Sequence, residues 1–377
     1  MKGMKVVFRA DASLQIGIGH VMRCLTLAEA LKDAGVDCHF ICREHPGHLL
    51  DLIDGKGFGA HSLKNGEDAE PGEITTDDLD ELAHASWLGV SQQQDAKACE
   101  QIIADLKPSW LVVDHYGLDA RWELSLKKNG LKLLVIDDLA DRIHASDILL
   151  DQTFGRAPKD YRALVPSGCL VLCGAKYALL RHEFKRLRHY SLKRRVNYKL
   201  ESILVSLGGV DKDNITLQVL EGLKEVRLPS TCRITVVMGS TAPWLKEVQN
   251  IANTMPWRTE VLVGVSNMAQ LMAECDLSIG AGGATSWERC CLGVPTALLV
   301  LAENQKFAAS LLSEAKAVVM VSPEEGLLPQ LKLIIERAVD SPNYLKVLSE
   351  SAQLITDGTG GEYIGSLITK FDRIDGY

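Results

Sequence analysis

The chain has 377 residues, 46% hydrophobic and 24% charged, which is apolar material for sizeable cores and a length that suits two domains better than one. Acidic residues outnumber basic ones, 49 to 41, and the net charge of −8 argues against a dedicated nucleic-acid or anionic-membrane surface. The start, Met1-Lys2-Gly3-Met4-Lys5, lacks the apolar region of a signal peptide and no apolar run is long enough to span a bilayer, so a cytoplasmic protein without membrane insertion is expected.

The first expected strand, residues 5–9, leads through Asp11 into Gly17-Ile18-Gly19-His20. From Val21 onward the apolar spacing (Val21, Leu25, Ala28, Leu31) is helical, which puts His20 at the N-terminal edge of a helix that follows a strand. Ligands of α/β proteins bind at the carboxyl ends of parallel strands. A helix N-terminus also favours a neutral imidazole that can accept a proton. His20 is therefore a candidate general base.

Further strands are expected at 37–42, 110–114, 132–136, 147–150 and 170–173, then at 202–206, 233–238, 260–263, 277–279, 296–301 and 317–321. Helical patterns lie between most of them, for example at 96–107, 215–224, 245–254 and 268–275. Continuous apolar strands separated by helices imply parallel sheets covered on both faces. The polar segment 64–80 reads as an insertion, and the basic stretch 185–199 as a solvated linker. The economical architecture is α/β, two Rossmann-like domains facing a central cleft. Residues 1–192 form the domain with the histidine loop and 198–377 the second domain, and the last helix, 362–372, is expected to pack back on the first. The ten cysteines match neither a CxxC pair nor a paired zinc site, and most lie in hydrophobic runs, so they read as buried free thiols.

Three glycine loops carry the chemistry. The first, Gly17 to Met22, departs from the dinucleotide fingerprint: it ends in Met, and the next strand closes on Arg43 rather than an acid, which argues against an NAD site. The second, Gly280-Ala281-Gly282-Gly283, follows a strand and opens a helix that carries Trp287-Glu288. Bare amides at such a point suit a pyrophosphate, and without a GK[ST] sequence this is no P-loop. Glu288 suits either a helix-capping acid or an acceptor for two ribose hydroxyls. The third loop, Ser206-Leu207-Gly208-Gly209, closes the first strand of the second half in the same way. Asp114-His115-Tyr116 and Asp137-Asp138 close other strands, and Tyr177 to Arg181 follow a further one. A metal centre from Asp137, Asp138 and His144 matches no strong ligand spacing.

Taken together and in order, Arg9-Ala10-Asp11 with Gly17-Ile18-Gly19-His20, Asp114-His115-Tyr116-Gly117, Tyr177-Ala178-Leu179-Leu180-Arg181, Ser206-Leu207-Gly208-Gly209 and Gly280-Ala281-Gly282-Gly283 with Trp287-Glu288 resemble the UDP-2,4-diacetamido-2,4,6-trideoxy-β-L-altropyranose hydrolases of pseudaminic acid biosynthesis. The resemblance covers nearly the whole chain. It implies a glycosyltransferase-B-like (GT-B-like) fold and metal-independent, cofactor-free hydrolysis that breaks the C1–O bond with inversion and releases UDP. It makes His20 catalytic, with Tyr116 beside the reacting sugar. It also places Arg181 and Glu288 among the substrate-contacting positions, and the glycine loops and strand ends add Asp11, Gly17, Gly19, Gly208, Gly282 and Gly283 as expected substrate-binding residues. One departure is that some members carry Asn where this chain has Trp287, so a side-chain amide contact to the nucleotide is not expected here. A glycosyltransferase using a UDP-sugar donor, a hydrolysing 2-epimerase and a non-catalytic nucleotide-sugar-binding protein are the alternatives, and the oligomeric state is left open.

Overall fold

The alternating apolar runs build two all-parallel sheets in a computed structural model of the protein, which describes residues 3–65, 82–128 and 130–371. The expected insertion at 64–80 therefore lies outside the described residues, apart from its first two positions. The chain divides into two compact units, Met1–Leu179 with Thr359–Tyr377, and Leu180–Gly358.

In the first unit the strands are β1 (Lys5–Ala10), β2 (Asp37–Arg43), β3 (Gly59–Leu63), β4 (Trp110–Asp114), β5 (Lys132–Ile136), β6 (Ile148–Asp151) and β7 (Leu170–Cys173). Helices α1 (Gly19–Asp33), α2 (Leu50–Gly55), α3 (Gln92–Leu106) and α4 (Ala120–Leu126) connect them. The sheet order is β3-β2-β1-β4-β5-β6-β7, so the direction of winding reverses between β1 and β4, where such sheets open a crevice for ligands. Both faces of the central strands are buried: Val6, Phe8 and Ala10 join one core with α1, and Val7 joins the other with α3 and α4. The stacked rings of Phe8 and Phe40, 4.7 Å apart, tie β1 to β2.

The second unit starts with α5 (His182–Arg194) and continues with β8 (Ser202–Ser206), α6 (Ile215–Lys224), β9 (Arg233–Met238), α7 (Leu245–Ala252), β10 (Arg258–Val263), α8 (Met268–Glu274), β11 (Leu277–Ala281), α9 (Thr285–Cys291), β12 (Thr296–Leu299), α10 (Lys306–Glu314), β13 (Val319–Val321), α11 (Leu327–Asp340) and α12 (Pro342–Ala352). Its order, β10-β9-β8-β11-β12-β13, repeats the same reversal between β8 and β11. The last helix, α13 (Gly360–Lys370), belongs to the first unit and packs on α1. Gly365 meets α1 at Ala30, a Cβ there lying 3.6 Å from Ala30 Cβ, and Gly360 lets the start of the helix lie against Ala178, where a Cβ would be 2.4 Å from the carbonyl oxygen.

The basic stretch corrects an expectation. It is not a solvated linker but a helix whose arginines cap other helices of the second unit. Arg195 is buried and donates to the carbonyls of Met272 (2.9 Å) and Cys275 (2.7 Å) at the end of α8. Arg188 donates to the Cys291 carbonyl and, at 2.8 Å, to that of Gln353, which ends α9 and α12. Carbonyls at helix C-termini lack intrahelical donors and carry partial negative charge, so cationic side chains settle there. The cysteines are free thiols, eight of the ten buried.

Candidate active site

In the first unit the candidate polar groups converge where β1 and β4 end. β1 pairs with β4 so that Ala10 sits opposite Asp114, and the loop after β1 turns back through Ser13 and Gly17 before α1 starts. Gly17 has φ +79°, a backbone conformation that glycine adopts without strain. His20 follows in the first turn of α1 and is 8% exposed. Its Nδ1 lies 2.6 Å from Asp114 Oδ1.

Asp114 is fully buried and is gripped by Arg23, whose Nε donates to Oδ2 (2.6 Å) and whose Nη2 donates to Oδ1 (2.7 Å). Burial pushes the Asp114 carboxyl up, but the Arg23 guanidinium and His20 outweigh it and hold the group well below the usual carboxylate range. An ionised carboxylate only accepts hydrogen bonds. Nδ1 of His20 therefore carries the proton in this contact, and in the neutral ring the lone pair is on Nε2. Such a ring is oriented to take a proton at Nε2.

Tyr116 packs against His20 edge to face, with centroids 4.6 Å apart and planes at 85°. Its hydroxyl donates to Asp138 Oδ2 at 3.0 Å, an oxygen that also accepts from Arg23 Nη1. Burial, and then the Asp138 charge, raise the phenol well above its ordinary value, so it keeps its proton at neutral pH. His20 and Tyr116 are thus brought together as expected neighbours. Asp11 departs from the expectation. It is fully buried, Arg9 occupies both of its oxygens (2.6 and 2.9 Å), and Oδ1 also accepts from the Arg43 backbone N–H at 2.7 Å. Arg9 continues to Asp95 at 2.7 Å. This is a buried ion network that braces β1, β2 and α3, with no carboxylate oxygen left for substrate.

Three residues of this site carry no sequence expectation in these roles: Asp114, the partner of His20, and Arg23 and Asp138, which hold Asp114 and Tyr116. Two of them had a signal. Arg23 is three residues after His20 on the otherwise apolar face of α1, and side chains at that spacing are neighbours. Asp114 closes the strand that a doubly wound order puts beside β1. Asp137, Asp138 and His144 do not form a metal centre: Asp137 is held by Arg142 at 2.7 Å and His144 by Glu123 at 2.7 Å. Among the described residues no group of three or more His, Cys, Asp or Glu side chains is placed to hold a metal ion.

In the second unit the two glycine loops close β8 and β11, the strands flanking the reversal, and Ser206 is the register partner of Gly280. Gly208 (φ +100°) and Gly283 (φ +107°) have backbone that side chains resist, with nothing within 4 Å of a Cβ. Gly282 lies against Gln305, whose Oε1 would be 2.9 Å from its Cβ. Beneath this loop Arg289 is buried and donates to the Ala281 carbonyl at 2.6 Å. A Cβ on Gly280 would lie 2.3 Å from its Nη1, so the bare loop is what admits the guanidinium. Burial lowers Arg289 to about 10, which leaves it cationic at neutral pH. Glu288, one residue earlier, lies 3.6 Å from Arg181 Nη2, while Arg181 Nη1 is 2.8 Å from Glu183. Burial raises Glu288 above its ordinary value, with Arg181 and Arg289 pulling the other way. The structure thus joins Arg181 to Glu288, residues more than a hundred positions apart in sequence. Trp287, at the departure from the resembled pattern, is a buried core residue.

No protein-family model matches the chain. It is 29% identical, over 82% of its length and 97% of the relative's, to UDP-2,4-diacetamido-2,4,6-trideoxy-beta-L-altropyranose hydrolase of Campylobacter jejuni. The resemblance to that hydrolase is borne out. It is also 24% identical, over 88% of its length and 89% of the relative's, to the spore coat polysaccharide biosynthesis protein SpsG of Bacillus subtilis. Among solved structures, Acinetobacter baumannii MurG matches at 14% identity with a TM-score of 0.69, over 97% of this chain and 99% of that one. The calicheamicin glycosyltransferase CalG4 matches at 14% identity with a TM-score of 0.63, over all of both chains. The fold is GT-B-like, built from two Rossmann-like parallel-sheet units. Among the described residues no helix is long and apolar enough to cross a membrane.

Proposed function

We propose that the protein is a UDP-sugar hydrolase of glycan biosynthesis, that its substrate is UDP-2,4-diacetamido-2,4,6-trideoxy-β-L-altropyranose, and that it acts in the cytoplasm. The reading is supported by similarity along nearly all of a hydrolase named for that substrate and by a polysaccharide-biosynthesis relative. The observation that carries it is the His20–Asp114 contact of 2.6 Å, which leaves Nε2 as the basic nitrogen.

In this mechanism Nε2 of His20 takes a proton from water as the water oxygen attacks C1 of the sugar. The C1–O bond breaks, its electron pair leaves with the β-phosphate of UDP, and the free sugar forms with inverted C1. UDP is a stable leaving group that needs little protonation. Its growing charge would be met by the amides of Gly208, Gly282 and Gly283, with the Arg289 cation held beneath the preceding Gly280 and Ala281. Helix α9, which follows, has only seven residues, so the loop amides rather than a long helix dipole would do this. Glu288 is assigned to the ribose hydroxyls. Arg181, through its planar fork, is assigned to the diphosphate or the sugar substituents. Gly17 and Gly19 keep the approach to His20 open. Asp114 and Tyr116 position the base. The chemistry assigned here asks for no metal or cofactor.

His20→Asn tests the assignment. It should bind UDP as wild type does and lose about 10²- to 10⁴-fold in kcat, the usual worth of a general base. A variant with ordinary turnover removes His20 from the mechanism.

A further inference from the structure

Two aromatic rings beside His20 have no part in that mechanism. Trp87 lies on the 3₁₀ turn Ala85–Leu88, its plane 27° from that of Tyr116 and the centroids 5.8 Å apart. It also meets His20 edge-on at 6.4 Å and 76°. His84 backs it, 4.3 Å from Trp87 and 5.5 Å from Tyr116.

This group is seated firmly. Leu88 anchors the turn in the core of the first unit. Gly117 lets it lie against the end of β4, since a Cβ there would be 3.0 Å from both the His84 carbonyl oxygen and His115 Cε1. Trp87 itself is only partly buried, and among the described residues its indole N–H has no hydrogen-bond partner. Among the described residues, then, the ring is neither core nor hydrogen-bonded, which suits it to stack on a ligand. In the loop that leads into the base, Gly17 and Gly19 have nothing within 4 Å of a Cβ. His20 is therefore bordered by bare backbone and by a wall of rings.

Aromatic faces favour C–H and methyl groups over hydroxyls. The sugar proposed above is of that kind, with methyl groups at C6 and on both acetamides and a ring hydroxyl only at C3. We propose that Trp87, backed by His84 and Tyr116, determines specificity in the sugar subsite by covering the methyl-bearing face of an N-acylated deoxy sugar. This rests on the UDP-sugar reading.

Dissociation constants measured by calorimetry in the His20→Asn background, where turnover is slow, test it apart from the hydrolysis. The ligands are UDP, UDP-N-acetylglucosamine and the UDP-diacetamido-trideoxy sugar. Adding Trp87→Ala should weaken the diacetamido sugar by about 10- to 100-fold, the usual worth of covering a ring of this size, and leave UDP within twofold. The preference over UDP-N-acetylglucosamine should fall by a similar factor, and Trp87→Phe should restore most of it. An unchanged preference, whether all three ligands bind as before or weaken equally, overturns the proposal. If neither sugar nucleotide is hydrolysed by the wild type, the reaction assigned above fails while these binding ratios still decide the role of Trp87.

Discussion

Replacing Asp114 by Asn probes the geometry of the base most sharply, because it changes charge and donor pattern with almost no change of shape. Oδ1 of Asp114 accepts from both His20 Nδ1 (2.6 Å) and Arg23 Nη2 (2.7 Å), and Oδ2 accepts from Arg23 Nε (2.6 Å). An asparagine must place its NH₂ at one of these two positions, and either way it faces an Arg23 N–H. At the Oδ1 position the clash is partly relieved if His20 changes tautomer, accepts at Nδ1 and moves its proton to Nε2. That ring can no longer act as the base. Even in the other orientation the imidazolium formed during reaction loses its buried counter-charge. We expect kcat to fall by about 10²- to 10⁴-fold, or about 3–5 kcal/mol of barrier, with UDP affinity unchanged. Stability should also fall, because breaking a buried ion pair from one side costs about 3–5 kcal/mol, less whatever Asp138 retains on Arg23. Steady-state kinetics, UDP calorimetry, thermal melting and nitrogen-15 NMR of the His20 ring read these effects separately. A folded Asp114→Asn enzyme with more than about a tenth of wild-type kcat, against the 10²-fold minimum expected from the loss, would refute the reasoning.

Glu288→Gln should weaken UDP binding by about tenfold or more, since hydrogen bonds to a charged acceptor contribute about 1.5–3 kcal/mol. The stability effect has the opposite sign. A carboxyl raised by burial holds its proton in the folded state at pH values where the unfolded chain has lost it, so the fold is progressively destabilised as pH rises through that interval. Melting at pH 8 should therefore be at least as high in the Gln variant as in wild type, and the difference should vanish near pH 4; a variant that melts lower at pH 8 contradicts the burial argument. Excess chelator should leave turnover intact, and loss of activity restored by added metal would return attention to the carboxylates at the strand ends.

Much of the fold could be read from strand composition. The apolar runs at 110–114, 132–136 and 202–206 coincide with β4, β5 and β8, because strands buried on both faces leave an unbroken hydrophobic signature. β3, Gly-Ala-His-Ser-Leu, was not expected: as an edge strand it is buried only in part, so its sequence carries little of that signature. The basic stretch at α5 reads as a linker because Arg188, Arg194 and Arg195 are satisfied by carbonyls distant in sequence, which no local pattern reveals. At the site, the loop and the imidazole were evident in Gly17-Ile18-Gly19-His20. What orients that imidazole was not, since Asp114 is 94 positions away and becomes a neighbour only through the pairing of β1 with β4. Asp11 was assigned to substrate for a related reason. An acid at a strand end suits a ligand as well as an ion network, and only the positions of Arg9 and Arg43 decide between them.

Hydrolysis of the UDP-sugar in oxygen-18 water, followed by NMR and mass spectrometry with no other acceptor present, tests the assigned reaction most directly. The reaction derived from His20 predicts free sugar labelled at C1, a first-formed anomer of inverted configuration, and unlabelled UDP. Label in the phosphate, a retained anomer, or no release of sugar without an added acceptor would contradict it.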